Sequence, residues 1–69
     1  MQIVARIVHD STETTLTGGV GEQLAEFFTR KRDEWVSGRR HGDIEFNADQ
    51  GRTRVSFEAI TAFDVEVTP

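Results

Sequence analysis

With 69 residues, no cysteine and two histidines, the chain cannot use disulfides or thiolate metal sites, and it has too few histidines for a classical zinc site. Its net charge of −4 argues against general nucleic-acid or membrane binding, and no apolar run approaches the roughly 20 residues of a membrane span. A chain this short buries only roughly 60% of the surface it exposes when unfolded, so self-association is the source of extra burial that remains open, and a homo-oligomer is expected.

Residues 2–9, Gln-Ile-Val-Ala-Arg-Ile-Val-His, are rich in β-branched types and are predicted as a strand. Ile3, Ala5 and Ile7 share one face, and Val4, Arg6 and Val8 the other. Both faces are partly apolar, which suits an interior strand or one covered by a partner. Asp10-Ser11 reads as a turn, and Thr12 to Thr17 as a second strand that closes a hairpin.

Gly18-Gly19-Val20-Gly21 is predicted to break that strand and start a helix running to about Ser37, with Gly38 as a left-handed stop. Val20, Leu24, Phe27, Phe28, Lys31 and Trp35 fall on one stripe at helical spacing, with Glu22, Glu26, Arg30, Asp33 and Ser37 opposite. Glu26 and Arg30 have the spacing of an i,i+4 ion pair. Acids come early and bases late, which complements the helix dipole.

After Arg39-Arg40-His41-Gly42 the period returns to two. Ile44, Phe46 and Ala48 define one face of a third strand, and Asn47 to Gly51 a turn whose glycine can take positive φ. Thr53, Val55 and Phe57 define a fourth strand, Glu58-Ala59-Ile60-Thr61 a tight corner or single helical turn, and Phe63, Val65 and Val67 a last strand with Asp64 and Glu66 outward. The order is β-β-α-β-β-β. The expected fold class is α+β, a single small domain over 1–69 with one helix packed on a mainly antiparallel sheet. The expected core combines Leu24, Phe27, Phe28 and Trp35 with Ile44, Phe46, Val55, Phe57, Phe63 and Val65, joined by Ile3 and Ile7. The Thr-rich strand and the last strand are the candidate sheet edges, and edges invite pairing with another chain.

The motifs that could carry chemistry are incomplete. The glycine-rich turn could aim backbone N–H groups at a phosphate, but it lacks the P-loop lysine and hydroxyl and the dinucleotide spacing, and Glu22 and Glu26 place negative charge there. His41-Gly42-Asp43 sets an imidazole near a carboxylate without a nucleophile that has an evident base, Ser37 being merely four residues upstream; His9 sits at a strand end. Asp43, Glu45 and Asp49 read as a solvated face, not a metal site. No catalytic, cofactor-binding or metal-ligating residue is assigned, and no enzyme activity is expected.

The bases between 30 and 41 outnumber the acids. Arg30, Lys31, Arg32, Arg39 and Arg40, together with Arg52 and Arg54 on a later strand, could form a positive patch that meets phosphates if the helix end and that hairpin lie together. Lys31 interrupts the apolar stripe between Phe28 and Trp35. Either its stem snorkels over the edge of the core or the last turns project beyond the sheet, which would make Lys31, Trp35, Val36, Arg39 and Arg40 an interaction surface.

Gly51-Arg52-Thr53-Arg54-Val55-Ser56-Phe57, Ile60 and Phe63-Asp64-Val65-Glu66-Val67 are loosely similar to small proteins of phages and actinobacteria, a resemblance confined to 51–67 that assigns no residue a role. The expected function is a non-enzymatic protein-interaction module that self-associates, of the kind a phage or plasmid uses as a regulator or inhibitor binding another protein. The alternative is a nucleic-acid-associated protein using the basic residues as phosphate contacts. Met1-Gln2-Ile3-Val4-Ala5-Arg6 has no basic region followed by an apolar block, so no signal peptide is read and the cytoplasm is the default location.

Overall fold

The computed structural model describes residues 1–38, 41–48 and 51–69. Arg39, Arg40, Asp49 and Gln50, and the side chain of Ala48, lie outside what is described. The fold is α+β in the expected order. Strand β1 (Gln2–His9) and β2 (Thr12–Gly19) form a hairpin, helix α1 (Glu22–Val36) follows, then the hairpin β3 (Asp43–Ala48) and β4 (Gly51–Ser56). A single 3₁₀ turn (Phe57–Ala59) leads into β5 (Ile60–Thr68).

Asp10 and Ser11 have φ of 48° and 63°, the positive pair of a type I′ turn, whose twist matches that of the flanking strands. Neither residue is a glycine, so the turn carries a local cost. Ser11→Gly is therefore expected to raise stability by about 0.5–1 kcal/mol, read as a higher urea midpoint with an unchanged slope.

The strands form two antiparallel ladders instead of the single sheet expected. One is β2-β1-β5, with β1 in the middle; the other is β3-β4. The β1 alternation then dictates two faces. Ile3, Ala5 and Ile7 are buried, opposite Val67, Val65 and Phe63 of β5, while Val4 and Arg6 turn outward beside Glu66 and Asp64. The second hairpin contributes Ile44, Phe46 and Val55 to the same cluster, with Phe57, Ile60 and Phe28, so hairpin and helix both cover the inner face of the first sheet. The Cα extents of 30 × 28 × 16 Å fit a two-layer slab.

Several expectations about the elements are corrected. Phe57, expected in the fourth strand, opens the 3₁₀ turn, and Ile60 and Thr61, expected in the corner, begin β5. Gly18 and Gly19 do not break β2; they pair with Ile3 and Gln2, because a ladder needs backbone groups and no side chain. Asn47, expected in the turn, belongs to β3, opposite Arg52; Gly51 does take positive φ, at 110°. The last helical turn carries no base, and no ion pair joins Glu26 to Arg30 among the described residues; Lys31 pairs instead with Glu34 and Arg32 with Asp33.

The helix is also rotated from the predicted stripe. Ala25 and Phe28 are its buried residues, Phe27 and Trp35 are half-buried, and Leu24 is 46% exposed. The helix packs against β5, and Ala25 is buried where Leu24 is not. Val65 is likewise only partly buried. Gly38, at φ 95°, ends the helix as predicted, its N–H donating to the Trp35 carbonyl at 3.1 Å.

Candidate functional site

The rotation of the helix opens a cleft. Three elements wall it: Leu16 and Thr17 of β2, Leu24, Phe27 and Phe28 of the helix, and Glu45, Phe46, Asn47 and Arg52 of the second hairpin. Ile3 and Val20 close its base and end. Its volume is about 450 Å³, within the range of sites that bind organic groups. Its lining is mostly aliphatic and aromatic, with Glu45 and Arg52 at the rim. Those two are joined at 3.0 Å, which neutralises the rim. A shallower groove of about 410 Å³ runs between the helix and the end of β5, lined by Met1, Val67, Glu22, Glu26, Arg30 and Asp33.

Leu24 is the residue that matters most here and the one the sequence misplaces. Periodicity put it in the core with Phe28, since both lie on one stripe; nothing local shows which flank of Phe28 faces the sheet. Leu16 and Val20 are also partly buried residues at the margin of the core that line the cleft.

The predicted surface at the helix end has a different character. Lys31 lies back over the Phe27 ring, its Nζ 5.9 Å from the centroid and 3.6 Å from Glu34. The ammonium is thus held between the ring face and a carboxylate. Trp35 tilts against Phe63 at 6.4 Å between centroids. Val36 is 65% exposed. Arg39 and Arg40 lie outside the described residues.

Among the described residues most of the candidate bases are paired with acids. Arg54 donates to Glu45 through Nε at 3.1 Å and Nη2 at 2.8 Å, with Asp43 at 3.8 Å. The hydrogen bond and charge of Glu45, and then the charge of Asp43, raise the Arg54 pKa above its ordinary value. On the first sheet Arg6 is held in the same way, by Glu13 at 2.9 Å and then Asp64 at 3.4 Å. Arg52 lines the cleft together with Val20 and Leu24. Arg30 is the one described base without a carboxylate in ion-pair range. Exposed pairs of this kind add little to stability, but they offset the positive charge a phosphate would meet.

Among the described residues the histidines and acids form no cluster of three or more. His9 Nδ1 is 3.6 Å from the carboxylate of Asp10, His41 is exposed, and Ser37 Oγ donates to the Glu34 carbonyl at 2.8 Å. Asp43 and Glu45 are engaged by Arg54, and Asp49 lies outside the described residues. Among the described residues no group of three or more metal-ligating side chains comes together, and no helix is long and apolar enough to cross a membrane. The chain matches no family model, no curated protein and no solved structure.

Proposed function

We propose that this chain is a non-enzymatic protein-interaction module whose first partner is a second copy of itself. The observation that supports this reading most is the apolar cleft between β2, the first half of the helix and the second hairpin, with Leu24 half exposed on its wall. A chain of 69 residues has little core to spare, and covering such a surface is the burial available to it. The phosphate-binding alternative ranks lower, because Lys31, Arg32, Arg52 and Arg54 each have a carboxylate within 3.6 Å.

Light scattering across concentration tests the reading, with a reversible species heavier than the 7.8 kDa chain as the expected result. Leu24→Ala should change folding stability by about 1 kcal/mol or less, since half of the side chain is already in water and alanine favours the helix. The same substitution should weaken association by roughly tenfold. A chain that stays monomeric at every concentration, and that retains no other protein when immobilised, would overturn the reading.

A further inference from the structure

We propose that two copies join through antiparallel pairing of β2 with β2, centred on Leu16, so that two three-stranded sheets become one sheet of six strands. This inference rests on the self-association reading and names its surface. Strand β2 is an edge of the first sheet, bonded to β1 from Thr12 to Gly19 without a register shift. Natural edges are commonly protected by proline, lysine, a bulge or an inward charge. β2, Thr-Glu-Thr-Thr-Leu-Thr-Gly-Gly, has none of these.

Charge decides between the two edges of the first sheet. β5 carries Asp64 and Glu66 on one face, and its register with β1 shifts at Val8/His9. Pairing β5 with itself about Val65 would set Asp64 of each copy opposite Glu66 of the other, and like charges directly opposite are unfavourable. Pairing β2 about Leu16 sets Thr15 opposite Thr17, Thr14 opposite Gly18 and Glu13 opposite Gly19, with no like charges facing. The single acid, Glu13, is already neutralised by Arg6 at 2.9 Å. The centre of the seam brings Leu16 onto its own copy on the inner face, where Leu16 lines the cleft with Val20, Leu24 and Phe27. The apolar lining of one copy thereby continues into the other.

The test is sedimentation of the full chain against Thr15→Glu/Thr17→Glu. Both positions are exposed, and Thr15 lies opposite Arg6 within one copy, so the fold tolerates the new carboxylates. Across the seam they face each other twice. A wild-type dimer whose dissociation constant rises at least tenfold in the variant, with an unchanged far-ultraviolet spectrum, supports the proposal. A folded variant that dimerises as the wild type does overturns this surface and leaves the self-association reading standing. A wild-type chain monomeric throughout overturns both the surface and self-association, and retention of another protein then decides whether an interaction module remains. Should the variant fail to fold, amide hydrogen exchange of the wild type decides. Exchange that slows with concentration along 12–19 supports the seam, and slowing confined to the helix or to β5 overturns it.

Discussion

Phe57→Ala is expected to remove about 3–5 kcal/mol of folding stability, the largest effect of any single truncation here. Phe57 is fully buried, at 0% exposure, in the 3₁₀ turn that carries the chain from the second hairpin into β5. Its ring sits in the one cluster shared by both ladders and the helix, and its backbone N–H donates to the Gly42 carbonyl at 3.0 Å. Removing the ring opens a cavity whose walls belong to three elements, so no single element can move in to fill it. A chain of this length has roughly 3–10 kcal/mol of total stability. The variant should therefore lose most of its cooperative thermal transition, followed by circular dichroism. A loss below about 1 kcal/mol would show that this ring is not the joint between the ladders.

The second large effect falls on a residue that carries no side chain. A Cβ added to Gly42 would stand 2.6 Å from Cε2 and 2.8 Å from Cδ2 of Phe57. The ring is enclosed and cannot retreat, so either it or the strand entry must shift. Overpacking of this kind costs about 1–3 kcal/mol. Gly42→Ala should lower the melting temperature by roughly 4–8 °C per kcal/mol. Gly19→Ala is the control, because its Cβ would meet nothing closer than 3.6 Å and should move the transition little. Combining Gly42→Ala with Phe57→Leu tests the cause. The shorter side chain relieves the crowding, so the double variant should be less destabilised than the sum of the two single ones. Strict additivity would show that the cost arises elsewhere, for instance in the backbone of the 41–43 segment.

Local chemistry made several features legible. The alternation Ile3, Ala5, Ile7 against Val4, Arg6, Val8 marks β1 as a strand with two useful faces, and it is the central strand of its sheet. Asp10-Ser11 reads as a turn, Gly38 as a helix stop and Phe63, Val65, Val67 as one face of a last strand, all without tertiary information. Lys31 falls between Phe28 and Trp35 on the predicted stripe, but its ammonium lies over Phe27.

Gly42 and Leu24 could not be read in this way. Gly42 looks like any loop glycine until the Phe57 ring, fifteen positions later in the sequence, arrives against its Cα. Leu24 and Ala25 flank the same helical face, and periodicity prefers the larger side chain for the core. The structure buries the smaller one. The same logic applies to charge. Sequence counts bases near the helix end, whereas antiparallel register places Arg54 opposite Glu45 and Arg6 opposite Asp64, offsetting charges that are remote or unrelated along the chain.

The sequence by itself determined the order of strands and helix, the hairpin of β1 and β2 and the two edges of the first sheet. Each of these follows from side-chain period and turn chemistry within a few residues. Only the tertiary structure decided that the strands split into two ladders, which flank of the helix faces them, and that an apolar cleft remains beside β2. Those outcomes depend on how side-chain volumes from distant segments share one small core, a balance that no local window contains.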